Sequence, residues 1–268
     1  TRLPPRGLPG GLTPPPAYPR AVLSLLRQPK WIIFTLLVPV GMALCLVAAN
    51  WQYHRHVNRS AEDARVRSNA QAAIVPIDTL LKPGNPFPTN DGWRRVNVTG
   101  EFVPTGELVR RKPLDGRAGF WVVNALRTTD GTLVQVVRGW VPLGGDATTS
   151  PAVPAPPTGK VTVTGRLQPD EAQRSSAGLP PGQLASLDSA SLAGTQATYP
   201  GYLVASGMEP PDSPALKPLP VPEIGLGPHL AYSWQWLFFA ALLPVGWVIL
   251  ARRELKSDRE EASAEKPV

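Results

Sequence analysis

Three histidines carry the clearest capacity for chemistry in this chain. His54 and His56 lie a few residues after one long apolar run, and His229 lies directly before a second such run. If both runs cross a membrane, all three imidazoles are expected at its outer interface, where neighbouring helices could bring them together. Imidazole is a common axial ligand of haem iron, and an interfacial site flanked by apolar helices suits a lipophilic porphyrin. The alternative is that these imidazoles contact only lipid headgroups and water.

Polar and aromatic side chains near the same two points extend this candidate site. Gln52 and Gln235 lie near the outer ends of the apolar runs, where each could hydrogen-bond a partner helix or a cofactor, or could simply be solvated. Trp236 follows His229 by seven residues and is therefore expected on the same helical face. Trp51 lies just past the first run, as interfacial aromatic residues do.

Several functional classes are excluded by what the middle of the chain lacks. Residues 57–228 contain no histidine, so a Ser-His-Asp or Cys-His catalytic arrangement cannot form there. The single cysteine, Cys45, lies inside the first apolar run, which excludes an intrachain disulfide and a zinc site of Cys/His spacing. The net charge of +7 comes mostly from the N-terminal segment and forms no basic stripe. We therefore expect neither an enzyme nor a nucleic-acid-binding protein.

The elements that must position the candidate site are two membrane-spanning helices. The apolar runs cover residues 31–49 and 230–251, and at about 1.5 Å of rise per residue they reach roughly 28 and 33 Å. A cleaved signal peptide is the alternative for the first run. The apolar core of a signal peptide is shorter, however, at about 7–15 residues. We expect both helices to be retained in the lipid bilayer.

Charge predicts the orientation of these helices. Residues 1–30 carry five cations and no acid, and Arg252, Arg253 and Lys256 follow the second run, so both termini are expected in the cytoplasm. A composition rich in Ala, Pro, Gly and Arg favours a bacterial plasma membrane over a mitochondrial one. The predicted organisation comprises a disordered Pro-rich N-terminus (1–30), transmembrane helices at 31–51 and 229–251, an extracytoplasmic domain between them (52–228) and a cytoplasmic charged tail (252–268).

The domain between the helices is predicted to be rich in β-structure. Alternating apolar and polar residues predict strands at 93–103, 119–127, 132–141, 160–167 and 199–206. A strand at 107–111 is expected to pair back on the first across Pro104-Thr105-Gly106, and Asp130-Gly131 predicts a hairpin. A short helix is expected at 188–192, capped by Ser186 or Asp188. The predicted fold is a membrane protein in which two transmembrane α-helices flank a mainly antiparallel β (α+β) extracytoplasmic domain.

One strand of this domain ends in a cation and a large aromatic side chain. Arg138 and Trp140 flank Gly139 shortly before Pro142. The pair is either a functional feature or simply a Trp that packs at the end of a strand beside a solvated Arg.

Several of these segments together resemble the surfeit locus protein family, whose members are assembly factors of haem-copper cytochrome c oxidase. The resemblance covers residues 31–250 and rests on segments that occur in the order typical of that family. The RGWVP end of a strand and the H-x-x-Y-x-x-Q-W entry into the second apolar run are specific in combination. The segments are the first run continuing into Trp51, Gln52 and Arg55, then residues 92–96, 98–102, 119–123, 136–142, 163–167 and 229–236.

The resemblance implies a non-enzymatic role in the insertion of haem a into the largest subunit of the oxidase. It makes His229 the leading candidate ligand of haem iron, while His54 and His56 gain little from it. It also makes Arg138 and Trp140 candidates for contact with an oxidase subunit or a cofactor. Two alternatives stay open: a structural accessory subunit of the oxidase or of a respiratory supercomplex that binds no cofactor, and an unrelated membrane-tethered enzyme.

Overall fold

A computed structural model describes residues 22–23, 25–144, 150–222 and 224–264. Contacts divide the chain into two compact units, one formed by residues 1–59 together with 226–268 and the other by residues 60–225. Most of the N-terminal segment predicted to be disordered lies outside the described residues. The first unit contains the helix pair and the second contains the β-sheet, and each is described by itself below.

The secondary-structure elements follow one another along the chain in a helix–sheet–helix order. They are α1 (Pro29–Gln71), β1 (Val75–Pro76), a 3-10 helix (Ile77–Thr79), β2 (Arg95–Val109), β3 (Gly119–Thr128), β4 (Leu133–Pro142), β5 (Lys160–Gln168), β6 (Gln183–Leu184), α2 (Ser189–Ala193), β7 (Thr198–Glu209) and α3 (His229–Ala264).

Helices α1 and α3 are long and apolar enough to cross a membrane. Their apolar side chains are largely exposed, with Leu44, Val47, Trp234 and Phe238 each more than 60% accessible. An exposed apolar surface of this extent is unfavourable in water, and lipid would cover it. These helices are consistent with a membrane protein, and helix α1 continues to Gln71, well beyond its apolar run.

The two helices pack as an antiparallel pair along a seam of small residues. Ala49 and Ser233 are buried in this seam, and the Ser233 hydroxyl donates to the Ala49 carbonyl at 3.0 Å. A Cβ at Gly41 would lie 3.0 Å from the Leu243 side chain, so glycine permits the close approach of the helices there. Further along, the Trp247 indole donates to Thr35 at 3.1 Å, and Lys30 pairs with Glu254.

The β-strands of the second unit close into a small barrel. Strand β2 pairs with β3 and with β5, and the neighbouring strands run in the order β2-β3-β4-β7-β5 before returning to β2. Most pairs are antiparallel, but β4 and β7 are parallel. The sheet is therefore mixed, with a mainly antiparallel character, in an α+β chain.

The interior of the barrel is filled by residues that alternate along the strands. These side chains are almost completely buried, and they include Val96, Leu126, Val136, Val161, Val163 and Leu203. Val123, Val137 and Tyr202 face the outside of the barrel, where the long connection between β5 and β7 covers them with Leu187 and Leu192. The alternating pattern in the sequence thus reflects strands with one face in the barrel interior and the other face covered by the connection between β5 and β7.

The predicted hairpin across Pro104-Thr105-Gly106 is wrong, because β2 continues through these residues as one strand of 15 residues. Its register against β3 shifts between Phe102 and Gly106. The Asn124 amide donates to the Val103 carbonyl at 3.0 Å, and a Cβ at Gly106 would lie 2.8 Å from Asn124. Proline and glycine therefore mark a bulge filled by Asn124 and not a turn.

The other local predictions agree closely with the structure. The strands at 119–127, 132–141, 160–167 and 199–206 correspond to β3, β4, β5 and β7. The Asp130-Gly131 hairpin joins β3 to β4, and Gly131 takes the positive φ of 86° that the turn requires. Helix α2 is capped by Asp188, whose carboxylate accepts from the Ser191 amide at 3.0 Å. Ser186 instead accepts from the Arg174 amide.

Candidate functional site

The candidate site lies where the outer part of α1 meets the first turn of α3. Gln52 and His229 face each other there, and the Gln52 Oε1 is 2.9 Å from the His229 Nδ1. Both side chains are partly buried. The antiparallel seam produces this contact, because Ala49 and Ser233 meet one turn further into the helix pair.

The Gln52 contact fixes which nitrogen of His229 is available to a ligand. A carbonyl oxygen only accepts, so the Nδ1 carries the proton and donates it to Gln52. In the neutral ring the Nε2 is then the nitrogen with a free lone pair. Histidines that bind a metal are commonly held in this way, with the other ring nitrogen donating to an oxygen. Gly227 leaves the Nε2 edge uncrowded, since a Cβ at that position would lie 3.1 Å from the Nε2.

His56 lies one helical turn beyond Gln52 on the same face of α1. Its Nδ1 is buried and has no hydrogen-bond partner among the described residues. Buried polar atoms without a partner are rare in proteins, and functional sites are one place where they occur. His54 is exposed and contacts the Tyr53 ring. The two neighbouring histidines therefore differ, and only His56 shares the helical face of Gln52.

Positive charge surrounds the outer end of the helix pair. Arg55 and Arg59 on α1 lie close enough to His229 for their charges to act on it. The Arg55 guanidinium lies 5.6 Å from the centre of the Trp51 ring, and Trp51 itself is 57% exposed. These cations would favour an anionic group bound next to the imidazole.

An apolar groove of about 400 Å³ begins beside the candidate site. Tyr53, next in sequence to Gln52, and Leu230, next to His229, contribute to its lining. Its other lining residues are Leu46, Ala49, Asn50, Ser233, Trp234 and Leu237. The site thus combines one imidazole nitrogen, nearby cations and an apolar surface.

The remaining predicted site residues of α3 occupy different positions. Trp236 is partly buried two turns along α3 on the face of His229, and its ring contacts Phe239 at 5.9 Å between centroids. Gln235 is exposed and lies on another face of α3. The structure therefore brings Gln52 and His229 together and places Trp51, Gln235 and Trp236 around them at varying distance, without direct contact to the imidazole among the described contacts.

Arg138 and Trp140, the predicted partner contacts, are buried inside the barrel unit. All five N–H donors of Arg138 are used: two bonds go to Asp212 at 2.8 and 2.5 Å, one to Asn124, and two to the carbonyls of Pro154 and Ala155. The Trp140 indole donates to the Lys112 carbonyl at 2.6 Å. Neither side chain reaches the surface, so their role in partner contact stays a prediction that requires neighbouring loops to open.

Sequence reasoning missed the residues that join the two helices. Ser233 is an unremarkable polar residue in an apolar run, and only its position four residues after His229 indicates that both share one face. His56 was among the candidates, but only its spacing of four residues from Gln52 indicates that these two residues share a helical face.

Comparisons with known proteins identify relatives of this chain. The SURF1 family model matches residues 40–241. The chain is 31% identical over 262 residues to uncharacterized SURF1-like proteins of Mycobacterium tuberculosis and Mycobacterium bovis, with 91% of this chain and 92% of those proteins covered. A SURF1-like protein of Rickettsia felis is 25% identical over 112 residues, covering 41% of this chain and 43% of that protein. The match with the family model and the long alignments to these relatives place the chain in the SURF1 family.

Proposed function

We propose that this protein is an assembly factor of haem-copper cytochrome c oxidase that holds haem a at the membrane surface and aids its insertion into the largest oxidase subunit. Membership of the SURF1 family supports the oxidase as the partner. The observation that carries the proposal is the bond between Gln52 and His229, which leaves the Nε2 of the neutral ring with a free lone pair beside apolar helix surfaces.

The residues at this end of the helix pair suit haem as cargo. Haem iron takes an axial imidazole, and the porphyrin face favours apolar surroundings such as the groove beside Tyr53 and Leu230. Haem also carries two propionate carboxylates, which the charges of Arg55 and Arg59 would attract. His229 binds, Gln52 orients the ring, and the apolar groove excludes water.

A single strong ligand suits a protein that must release its cargo. Coordination by two histidines would hold iron more tightly and oppose transfer to the oxidase. Within the helix pair, His229 already has its partner in Gln52, and His56 lies one turn away on the same face. We propose that His229 is the principal ligand.

The proposed location is the bacterial plasma membrane, with both termini in the cytoplasm and the barrel on the outer side. The Lys30–Glu254 ion pair joins the helices at the end opposite to His229. Arg252 and Arg253 lie at the same end, directly before Glu254. Positive charge at this end supports the proposed orientation.

The test replaces His229 by Ala in the full chain purified in a neutral detergent and titrated with haem. We expect the Soret absorption of the wild-type complex to be lost or strongly weakened, while membrane insertion is unchanged. The matched control is His54→Ala. His54 is an exposed imidazole on the same turn of α1 as Gln52, so its removal should leave the spectrum intact.

A second variant distinguishes the orientation of the His229 ring by Gln52 from the binding of haem iron by His229. Gln52→Leu removes the acceptor for the Nδ1 proton, so haem affinity should fall by about 10-fold or more without loss of the Soret band at saturation. Equal haem binding by the wild type and by His229→Ala would remove His229 from the site. No haem binding by the wild type would favour an accessory role on the oxidase without a cofactor.

A further inference from the structure

A cluster of arginines lies on the barrel unit, far along the chain from the histidines. Arg110 and Arg111 follow the end of β2, and Arg174 lies in the connection between β5 and β7. These three side chains, with Ser175, Leu179 and Ala185, line a cleft of about 260 Å³, here called the arginine cleft.

The backbone of this cleft is held by defined hydrogen bonds. The Arg110 amide donates to the Leu184 carbonyl at 2.9 Å, which fixes the end of β2 against β6. The Arg174 amide donates to the buried Ser186 hydroxyl at 2.9 Å, and the Ala185 amide donates to Ser176 at 3.0 Å. The backbone that carries Arg110 and Arg174 is therefore held in place by hydrogen bonds.

The carboxylate that Arg174 approaches, that of Glu171, is already paired with another cation. Glu171 forms a short ion pair with Lys112, which is buried, and also accepts from the Leu187 amide. Arg174 approaches Glu171 only to 3.8 Å, beyond hydrogen-bond distance. Burial lowers the pKa of Lys112, Glu171 opposes this shift, and the charge of Arg174 lowers the pKa further. The cleft thus keeps a surplus of positive charge.

Arg111 adds to this surplus. Its side chain is exposed and makes no hydrogen bond or ion pair with the part of the chain that the structure describes. A planar guanidinium matches two oxygens of a phosphate or carboxylate group. The Ser175 hydroxyl accepts from the Ala177 amide at 3.2 Å and retains its own proton for donation.

An apolar groove of about 410 Å³ shares Arg110 and Arg111 with the arginine cleft. Pro113, Ala118, Phe120 and Leu143 provide most of its surface. An anionic head in the cleft would therefore place an attached apolar body along these residues. We propose that the arginine cleft and this groove together bind an amphiphile with a phosphate head, such as an anionic phospholipid.

The experiment uses the full chain in a sugar-headed, phosphate-free detergent, with binding measured by calorimetry. The probes are dihexanoyl phosphatidic acid, inorganic phosphate and uncharged dihexanoylglycerol. We expect phosphatidic acid to bind most tightly, with an affinity that falls as salt is raised. Inorganic phosphate should bind more weakly, because it lacks the apolar body, and dihexanoylglycerol should not bind measurably.

Two variants locate the site. Arg174→Gln and Arg111→Asn should each weaken phosphatidic acid binding by about 10-fold, since each removes a charged hydrogen-bond donor. Asparagine is chosen at 111 because this residue has φ of 58°, which asparagine tolerates. Arg127→Gln is the matched control, because Arg127 is an exposed cation near the opposite end of β3.

The outcomes decide between sources of the anion. Inorganic phosphate binding as tightly as phosphatidic acid would overturn the amphiphile and leave a site for free phosphate. Equal binding of phosphatidic acid and dihexanoylglycerol would overturn the anion site altogether. An affinity unchanged by Arg174→Gln, or lowered equally by Arg127→Gln, would also overturn the proposal. Arg174→Lys should recover part of the affinity, because it restores the charge without the planar fork.

Discussion

The helix pair and the barrel are held together by opposite uses of polar and apolar residues. In the helix pair the apolar side chains face outward, and Leu44 and Val47 are exposed while small residues and a few hydrogen bonds form the seam. In the barrel the apolar side chains face inward, and Val136 and Leu203 are completely buried. One polar network in the barrel, around Arg138, is buried as well.

This difference indicates how each region depends on its surroundings. In a lipid bilayer, helix packing would gain no hydrophobic driving force, because lipid would solvate the apolar surface of each helix as well as a partner helix does. The barrel core gains free energy by leaving water. Loss of a polar contact should therefore have a small effect on the helix pair and a large effect in the barrel, where a charge would be left buried.

The largest expected effect is a difference in labelling between the barrel and the C-terminal part of α3, which are proposed to lie on opposite sides of the membrane. In a Cys45→Ser background, a cysteine at the exposed Ser206 of the barrel should react with a membrane-impermeant maleimide in intact cells. A cysteine at Ser257, also exposed but in the last part of α3, should react only after lysis. Lysed cells serve as the control in which both react. The reverse pattern in intact cells would contradict the proposed orientation.

Removal of Arg138 should have the next largest effect. Arg138→Ala removes the cation that pairs with Asp212 and the group that donates to the Asn124 side-chain oxygen. The barrel should therefore lose about 3–5 kcal/mol of stability. The measurement is the unfolding midpoint in detergent, followed by fluorescence of the barrel tryptophans. The control is Arg138→Met combined with Asp212→Leu, which removes both charges and should cost less. Equal losses in the single and double variants would mean that the uncompensated charge is not the cause.

High pH should weaken the barrel through Tyr202. Burial of this side chain against Trp121, with help from Glu171 and Asp170, raises the pKa of Tyr202 above its usual value. The unfolded chain loses this proton near pH 10, while the folded chain keeps it. Stability that is present below pH 10 is therefore lost above it, by up to about 1.4 kcal/mol per pH unit.

Tyr202→Phe should flatten this part of the pH profile, because phenylalanine has no proton to lose. Thermal unfolding between pH 8 and 11 would measure the difference between the two chains. An identical slope above pH 10 would show that other groups cause the loss.

The smallest effect is expected from the helix seam. Ser233→Ala removes the bond to the Ala49 carbonyl, and hydrogen bonds between membrane helices contribute only about 0.6 kcal/mol on average. Titration with sodium dodecyl sulfate in mixed micelles would measure this change. Ser206→Ala is the control, because it removes a solvent-exposed hydrogen bond in the barrel, from the Ser206 hydroxyl to the Thr164 carbonyl at 3.2 Å. A loss as large as that of Arg138→Ala would contradict the contrast between the two regions.

Local pattern predicted most strands but not their closure. The alternation at 160–167 and the Asp130-Gly131 pair each report on a few neighbouring residues, and both predictions agree with the structure. The hairpin at Pro104 failed because a bulge and a turn use the same residues, and only Asn124 on another strand decides between them. The parallel pair β4–β7 joins distant parts of the chain, for which no local signal exists.

The candidate site was predicted only in part, because its contacts also join distant parts of the chain. His229 and Gln52 could be singled out by their types and by the depth of each apolar run, but their contact depends on the register of two helices far apart in sequence. The arginine cleft had no sequence signal at all. Arg110 and Arg174 are 64 positions apart in the chain, and they come together only because β6 docks against the end of β2.

Strand β2 is satisfied along both of its sides for most of its length. β5 pairs with residues 95–101 on one side and β3 pairs with residues between 100 and 109 on the other, while the two-residue strands β1 and β6 occupy the places near each end that those partners leave open. Along these paired stretches a peptide from another protein finds no free row of amides and carbonyls with which to extend the sheet. Recognition at this strand must use side chains and loops, so it depends on the partner's chemistry and not on a generic extended backbone.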